Sequence, residues 1–378
     1  MRLFHLSLLS LCLLSFCSCK KNSEKICEQK ATITDYNAFG AIVLSVSPQD
    51  MVNAGLSPGD VLTLCIEDTV MDIPYFSGFF TKNGEYLVVA YPNAEYITIT
   101  ANNVGMKERF PNMKGKSITL ALKEKGTFKD VEETLGMQYS NHREDYDSET
   151  EFANARKVTT SGMADGRLFR TASPFDNKFS RAPYVSAFLQ ENGVQTALNL
   201  TDDAEKLNSY TDIHAYSQQM IKAGNVVLCK VDANYRSEAF NKTLVAGLTE
   251  LLSHPAPYVV HCTEGKDRTG YVCALLEGLA GATYDEIAAD YLYTYYNYFH
   301  LTSQSNPKAC QLLLNLRLDD ALLFFCNITD VEQLKTINLA EAMQQHLVRY
   351  GMSEDEVNQL SSLLKDKEYH PSQLMTNK

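Results

Sequence analysis

The sequence predicts an α/β domain with a mainly parallel central sheet flanked by helices, preceded by a small all-β domain. Three observations support this prediction. Strand-like and helix-like segments alternate from about residue 151 onward, which is typical of parallel sheets with helical crossovers. Short β-branched runs separated by Gly, Pro and Asn turns fill residues 31–125. A short apolar run, Leu3 to Phe16, stands apart from both domains at the N-terminus.

The first residues have the pattern of an export signal. Arg2 gives a positive start, and the apolar run after it is too short to span a bilayer comfortably. The run ends in SFCSC followed by KKN, which resembles a bacterial lipoprotein signal. That resemblance implies lipidation of Cys19, with Cys17 as the second choice, and a periplasmic or cell-surface lipoprotein. A lipid anchor would hold the chain on a membrane without a spanning helix; cleavage and simple secretion is the alternative.

The chain of 378 residues is long enough for two or three domains. The β-like segment contains the strand-like runs FGAIVLSV, DVLTLCI, EYLVVAYP, EYITITAN and SITLALK. A strongly charged stretch separates it from the α/β part. The predicted organisation is a signal peptide over 1–19, a tether over 20–30, a β sandwich or barrel over 31–125, a charged linker over 126–150 and the α/β domain over 151–378.

Composition excludes some classes of partner and site. The chain is 45% hydrophobic and 21% charged, the balance of a soluble globular protein. Its formal net charge is -12, and no basic stripe is present, which argues against nucleic acid as a partner. The cysteines outside the signal have neither CxxC spacing nor Cys/His clustering, so no metal site is predicted.

Within the α/β domain the predicted elements lead to one distinctive loop. The predicted strands are VQTALNLT, NVVLCKV and PYVVHC. The predicted helices include AFNKTLVAGLTELLSH, TGYVCALLEGLAG and YDEIAADYLYTYYNYF. The stretch HCTEGKDRTG, His261 to Gly270, therefore lies between a buried strand and a helix.

This loop has the composition of an oxyanion site. Five residues separate Cys262 from Arg268, a length that can turn successive backbone N–H groups toward one centre, next to the positive end of the following helix. Gly265 permits a turn in which a Cβ would clash, and the fork of Arg268 can grip two oxygens of a phosphoryl group. The positive surroundings favour the thiolate of Cys262, a nucleophile. Thr269 could donate a hydrogen bond to that sulfur, and His261 is expected to order the loop rather than carry a proton.

The remaining loop residues bear on the ligand. Thr263, Glu264, Lys266 and Asp267 are expected to take part in phosphate binding together with Gly265 and Thr269. Lys266 could meet a second phosphate, whereas Glu264 is expected to face solvent or the rim and to modulate Lys266. Asp267 could pair with Lys266 or serve as an acid. Side chains between Cys262 and Arg268 can point outward because the backbone holds the phosphate, so acids in the loop are compatible with an anionic ligand.

The motif HCxxGKxRTG resembles the signature of the cysteine-dependent protein tyrosine phosphatase superfamily, and CTEGKDR resembles the loop of secreted bacterial tyrosine/lipid phosphatases of the Listeria and Mycobacterium type. GRLFRTASP, which contains Arg167 and Arg170, is similar to an upstream element of that family, as is the later ADYL. The resemblance implies phosphomonoester hydrolysis through a phosphocysteine on Cys262. It implies no metal or organic cofactor. Arg167 and Arg170 could hold a second phosphate or brace the loop.

The sequence leaves several aspartates as candidates for the general acid. Asp232 is the first candidate: it stands at the end of the strand NVVLCKV, 30 residues before Cys262, a spacing that resembles that of dual-specificity and lipid phosphatases. Asp267, inside the loop, is the alternative acid. Asp202 and Asp203 are third, because they follow Asn199-Leu200-Thr201 where the family usually has Asp-Leu-Arg.

The resemblance implies activity on phosphotyrosine, that of a protein-tyrosine-phosphatase, with phosphoserine, phosphothreonine or phosphoinositides as further substrates. An inositol-phosphate phosphatase of the phytase type is an alternative with the same chemistry. A non-catalytic surface lipoprotein that binds through its β domain is the alternative of a different class. Intact Cys262, Gly265 and Arg268 argue against it, because a binding module has no need of the nucleophile.

Overall fold

The computed structural model describes residues 27–365. The predicted signal peptide, and Cys19 within it, lie outside the described residues. The first strand begins at Glu28, so residues 28–30 of the predicted tether belong to the β domain. Among the described residues, no helix has both the length and the apolarity needed to cross a membrane.

The N-terminal domain is a closed barrel, which decides between the two predicted forms. In the strand VLTLCI (Val61–Ile66), the side chains of Leu62, Leu64 and Ile66 are buried at alternate positions, so that one face of the strand fills the interior. The ring closes because the first strand pairs with both the second and the seventh. The strand order around the barrel is β1 (Glu28–Tyr36), β2 (Ile42–Leu44), β6 (Thr98–Ala101), β5 (Tyr86–Val89), β4 (Thr69–Phe76), β3 (Val61–Ile66) and β7 (Ser117–Glu124). The connections include the helices α1 (Pro48–Asn53) and α2 (Met106–Arg109).

The segment predicted as a charged linker has structure of its own. It contains α3 (Lys129–Leu135), a 3₁₀ turn (Arg143–Asp145) and α4 (Glu149–Phe152). Phe128 packs on the barrel residue Phe76, with ring centroids 5.7 Å apart. The Glu132 carboxylate accepts a hydrogen bond from the Ser77 backbone N–H at 3.0 Å. The beginning of this segment is therefore fixed to the barrel.

The second domain is built on a five-stranded sheet of order β11-β10-β12-β9-β8. β10 pairs in parallel with β11 and β12, and β12 pairs in parallel with β9, whereas β8 and β9 are antiparallel. The strands are β8 (Arg156–Lys157), β9 (Leu168–Thr171), β10 (Thr196–Asn199), β11 (Val226–Leu228) and β12 (Tyr258–His261). All four residues of β12 are buried, with Tyr258 and Val260 in one core and Val259 in the other.

Helices cover both faces of this sheet and form a C-terminal helical layer. The helices that connect or directly follow the strands are α5 (Ala182–Glu191), α6 (Ala204–Asn208), α7 (Ala215–Lys222), α8 (Glu238–Leu251), α9 (Asp267–Ala280) and α10 (Tyr284–Phe299). The C-terminal layer contains α11 (Pro307–Leu313), a π-helix (Leu314–Leu318), α12 (Asp319–Cys326), a 3₁₀ helix (Val331–Lys335), α13 (Leu339–Arg349) and α14 (Glu354–Lys365). Thr283 and Glu286 form a capping box that starts α10.

The carboxyl ends of the parallel strands meet at one edge of the sheet, where the ligands of α/β proteins usually bind. Cys262 follows the central strand β12 there, and the segment after β11 leads to Asp232. Cys262 and the first acid candidate, Asp232, which are 30 residues apart in sequence, therefore lie at the same edge.

Candidate active site

The backbone of the loop after β12 has its carbonyl groups turned outward. The Glu264 carbonyl accepts hydrogen bonds from Asn154 Nδ2 at 3.1 Å and from the Tyr298 hydroxyl at 2.6 Å. The Gly265 carbonyl accepts from Asn154 Nδ2 and from Arg170, each at 3.2 Å. Peptide planes held this way direct their N–H groups to the opposite side, toward the centre of the loop. In residues 27–365, no hydrogen bond is recorded from the N–H groups of residues 263–268, which leaves these donors for an oxyanion.

Gly265 is required by two separate features. Its φ is +69°, a left-handed conformation that side chains oppose. A Cβ added at this position would lie 2.3 Å from the Thr171 carbonyl oxygen and 2.8 Å from the Ala172 nitrogen. The loop thus presses directly against the end of β9, and the contact excludes every residue except glycine.

Arg268 links the loop to the two neighbouring strand ends. Its Nη1 donates to the carbonyl oxygens of Leu200 and Val231, each at 3.2 Å, and Nη2 donates to Thr263 Oγ1 at 3.3 Å. These bonds fix the plane of the guanidinium beside Thr263, the residue that follows Cys262. Cys262 itself is 3% exposed. Because Val231 directly precedes Asp232, Arg268 also anchors the segment that carries the first acid candidate.

Arg170 braces the loop, which is one of the two roles that the sequence left open for it. Its side chain is 1% exposed, donates to the Gly265 carbonyl and forms an ion pair with Asp290. Asp290 also pairs with Arg156 Nε at 2.7 Å. Burial would raise the pKa of Asp290, but the two arginines outweigh it and lower that pKa below its ordinary range. Asp290 is therefore a carboxylate that holds two buried cations behind the loop.

His261 and Thr269 are both fully buried. Burial lowers the pKa of His261 to about 3, so its ring is neutral at physiological pH. The ring packs edge-on against Phe175, with centroids 5.3 Å apart. A neutral buried ring suits an ordering role. The Thr269 hydroxyl has no hydrogen-bond partner among the described residues and remains able to donate to a ligand or to a thiolate.

The charged side chains of the loop neutralise one another. Lys266 Nζ lies 3.1 Å from the Glu264 carboxylate and 3.9 Å from that of Asp267. It also lies 5.7 Å above the centre of the Tyr139 ring. Burial would lower the pKa of Lys266, but Asp267 and Glu264 outweigh it and raise that pKa well above its ordinary value. Lys266 is thus a charged group whose partners are already in place.

The acid candidates have different surroundings. Asp202 is fully buried and accepts hydrogen bonds from Asn199 Nδ2 and the Tyr210 hydroxyl, each at 2.9 Å. Asp203 caps α6 and pairs with Lys230 at 2.7 Å. Both carboxylates are therefore engaged in local structure.

The two leading acid candidates lie in the seam between the barrel and the sheet domain. Asp232 is exposed, accepts from the Asn234 N–H at 2.9 Å and lines a groove against the barrel. Asp267 begins α9 and lines a neighbouring cavity. Asn83 of the barrel donates to the Asn234 side chain at 2.8 Å. The barrel thus contacts the segment that contains Asp232.

A family model for tyrosine phosphatases matches residues 151–364, more than half of the chain and the whole of the loop, its braces and the helices behind it. The chain belongs to the tyrosine phosphatase family. A solved structure of an uncharacterised conserved protein from Thermotoga maritima is 17% identical, with a TM-score of 0.23 over 30% of this chain and 42% of that one. The chain thus matches less than half of that structure's length. No curated protein matches the chain.

The tyrosine-rich helix of this member of the tyrosine phosphatase family is mainly core. Tyr291, Tyr295 and Tyr298 are each at most 5% exposed, as expected for aromatic residues at helical spacing. Tyr293 and Tyr296 lie on the outer face. Tyr298 nevertheless acts on the phosphatase loop through its hydroxyl group.

Sequence reasoning missed three residues around the phosphatase loop. Asn154 donates to two loop carbonyls, and its own carbonyl accepts from Asn297 at 3.0 Å. Asp290 belongs to the ADYL element, but the sequence does not indicate that its carboxylate pairs with two arginines. Arg317, in the π-helix, lines the cavity beside Asp267. No local motif marks Asn154 or Arg317, because each is far from the loop in sequence. Among the described residues, no group of three or more His, Cys, Asp and Glu side chains is placed to hold a metal ion.

Proposed function

We propose that this protein hydrolyses phosphomonoesters through a phosphocysteine on Cys262, with phosphotyrosine as a substrate. The observation that carries the proposal is the loop itself. Its carbonyls are tied outward, and its N–H groups are left for an oxyanion. Arg268 is bonded to Thr263, the residue after the nucleophile, and to the ends of two strands. Phosphoryl transfer needs this kind of positioning and charge stabilisation more than it needs further covalent groups.

In the first step the Cys262 thiolate attacks phosphorus, the S–P bond forms and the bond to the leaving oxygen breaks. The leaving oxygen takes a proton from the general acid. In the second step water attacks phosphorus, the S–P bond breaks and the thiolate leaves, while the same carboxylate accepts the proton from water. Arg268 and the loop N–H groups bind the equatorial oxygens in both steps. Thr269 donates to the departing sulfur in the second step.

Asp232 is the proposed general acid, and Asp267 is the alternative. The hydrogen bond from Arg268 to Val231 supports Asp232, since it ties the preceding residue to the arginine that grips the phosphate. The position of Asp267 next to Arg268 supports the alternative. Asp232→Asn and Asp267→Asn should be compared on aryl phosphates with good and poor leaving groups. The acid is the residue whose loss depresses turnover much more for poor leaving groups; equal small effects for Asp232→Asn would exclude it.

The test of the function is a substrate panel on the wild-type chain and Cys262→Ser. The panel contains a phosphotyrosine peptide, phosphoserine and phosphothreonine peptides, a phosphoinositide and inositol hexakisphosphate. Hydrolysis of the phosphotyrosine peptide that disappears in Cys262→Ser supports the proposal. A preference for inositol hexakisphosphate would instead favour the phytase type of activity. No Cys262-dependent hydrolysis of any substrate would contradict the proposal and favour a binding lipoprotein.

We also propose export and anchoring by a lipid on Cys19, on the basis of the N-terminal sequence alone. Cys19→Ala should move the protein from the membrane fraction to the soluble fraction of the cells that produce it. The same change at Cys17 serves as the control. An unchanged membrane fraction in Cys19→Ala would remove this assignment.

A further inference from the structure

A cavity of about 310 Å³ lies in the seam between the barrel and the phosphatase domain. On the phosphatase side its wall includes Asp267, Tyr271 and Arg317. On the barrel side its wall includes Phe79 and Asn83. Neither domain alone forms this cavity, so it exists only because the barrel packs against the phosphatase domain.

The cavity borders the loop between Cys262 and Arg268 at one residue, Asp267. Asp267 in its wall directly precedes Arg268, the residue that grips the phosphoryl group in the proposed mechanism. Ala233 and Tyr235, which follow Asp232, also contribute to the wall. A substrate bound by its phosphate at Cys262 would reach this cavity past Asp267.

Arg317 brings a positive charge to a cavity whose wall also carries the Asp267 carboxylate. Arg170, by contrast, is paired with Asp290. In the part of the chain that the structure describes, no carboxylate lies within the 4.0 Å limit of an ion pair with Arg317. Its guanidinium instead donates to the backbone carbonyls of Phe79 at 2.7 Å and Thr81 at 3.4 Å. These two bonds orient the group and leave its charge and further N–H donors for a ligand.

The local backbone supports a functional role for Arg317. It lies in the π-helical turn Leu314–Leu318, between α11 and α12. π-helical turns are uncommon and occur often at functional sites. The barrel carbonyls then hold the side chain at the seam.

The other cation near the loop is already satisfied. Lys266 pairs with Glu264 at 3.1 Å, so a second anionic group on a substrate gains little from it. Asp267 contributes one negative charge to the cavity wall. A single anionic group opposite Arg317 is thus compatible with the cavity, and a densely charged ligand is not.

We propose that this cavity is a second subsite, which binds one oxyanion on the part of the substrate beyond the reacting phosphate, with Arg317 as its cationic ligand. The proposal rests on the phosphatase function proposed above. The oxyanion can be a carboxylate or a second phosphate, since a guanidinium binds both in the same forked geometry. The barrel acts here as part of the substrate site through the wall that it supplies and the carbonyls that orient Arg317.

The test uses three peptides with a central phosphotyrosine, flanked by alanines, by glutamates or by one phosphoserine. The full chain and Arg317→Gln are compared on each. Gln keeps a donor for the barrel carbonyls and removes the charge. We expect kcat/KM for the anionic peptides, relative to the alanine peptide, to fall about tenfold in Arg317→Gln. The alanine peptide itself should change by less than about twofold.

Lys308→Gln is the matched control, because Lys308 forms an exposed ion pair with Asp130 of α3 and does not line the cavity. It removes the same charge from an exposed contact outside the cavity. The kcat/KM for the anionic peptides relative to the alanine peptide should therefore stay as in the wild type. The glutamate and phosphoserine peptides distinguish a carboxylate from a phosphate as the preferred group. An equal fall for all three peptides, an unchanged ratio, or the same change in Lys308→Gln would overturn the subsite.

Cys262-dependent hydrolysis of para-nitrophenyl phosphate by the wild type separates the two proposals. If it is present while the peptide ratio fails to respond to Arg317→Gln, the phosphatase function stands and the subsite is wrong. If it is absent together with peptide hydrolysis, the proposed function fails and the subsite fails with it.

Discussion

Replacing Gly265 by alanine tests whether the contact between the loop and β9 sets the active geometry. The added Cβ would lie 2.3 Å from the Thr171 carbonyl oxygen. Loop and strand must move apart by about 0.7 Å to bring this separation to 3.0 Å, the lower limit of real Cβ contacts. A misplacement of about 1 Å in a catalytic constellation can cost about 100-fold in rate. We therefore expect kcat/KM to fall by a factor of that order.

Gly224→Ala is the matched control for this change. Gly224 has a φ of +71°, almost that of Gly265 at +69°, but no atom lies within 4 Å of a Cβ added there. Both substitutions meet the same left-handed strain, about 1–2 kcal/mol, whereas only Gly265→Ala meets the strand. The assay is steady-state hydrolysis of para-nitrophenyl phosphate, with thermal unfolding to check that both variants fold. A folded Gly265→Ala variant with activity within about threefold of Gly224→Ala would refute this reasoning.

Three further changes have defined expectations. Arg170→Lys keeps the charge opposite Asp290 but loses the fork that also reaches the loop, so kcat/KM should fall about tenfold in steady-state assays; unchanged activity would contradict the bracing role. His346→Gln concerns pH: burial, with Arg349 nearby, lowers the pKa of His346 from 6.5 to about 4. As the pH falls, His346 therefore takes up a proton in the unfolded chain at a higher pH than in the folded chain. The free energy of unfolding should then fall between pH 6.5 and pH 4, by up to about 1.4 kcal/mol per pH unit. Denaturant unfolding should show a shallower fall in His346→Gln, and equal slopes would refute the assignment. Thr269→Val removes a buried hydroxyl that has no partner among the described residues, so stability should hardly change. Breakdown of the phosphocysteine, measured by burst kinetics, should slow; unaltered breakdown would exclude a hydrogen bond to the departing sulfur.

The parts of the fold that the sequence predicts well are those fixed by local patterns. The run PYVVHC is continuously apolar because β12 is buried on both faces, and the motif after it marks the loop before α9. Three predicted helices of the second domain correspond to α8, α9 and α10. α8 and α10 repeat apolar residues at helical spacing, whereas α9 is buried on all sides.

The form of the β domain depended on contacts that local patterns do not contain. A sandwich and a barrel use the same alternating strands, and only the pairing of β1 with β7 closes the ring. The charge of residues 126–150 suggested a linker, but Phe128 and Glu132 attach its beginning to the barrel. Scattered apolar residues within a charged segment gave little indication of this packing.

The candidate site likewise contains residues that a local motif predicts and residues that only the folded chain reveals. Cys262, Gly265 and Arg268 could be found because they share one short motif. Asn154 and Arg317 could not, since they reach the site from separate elements and only the folded chain brings them there. The choice between Asp232 and Asp267 likewise stays a prediction, because both carboxylates lie in the seam where the barrel meets the phosphatase domain.

The outward hydrogen bonds of the catalytic loop also bear on how fast and how tightly a substrate can bind. Asn154, Arg170 and Tyr298 hold the loop in its curved shape from outside, through hydrogen bonds to its carbonyl groups. Ordering the backbone of a flexible loop costs about 1–2 kcal/mol per residue. Folding of the whole domain already orders the backbone of this loop, so a substrate does not have to order it on binding. Phosphate binding should thus proceed in one step, without a slow isomerisation of the loop, and its affinity should reflect contacts alone.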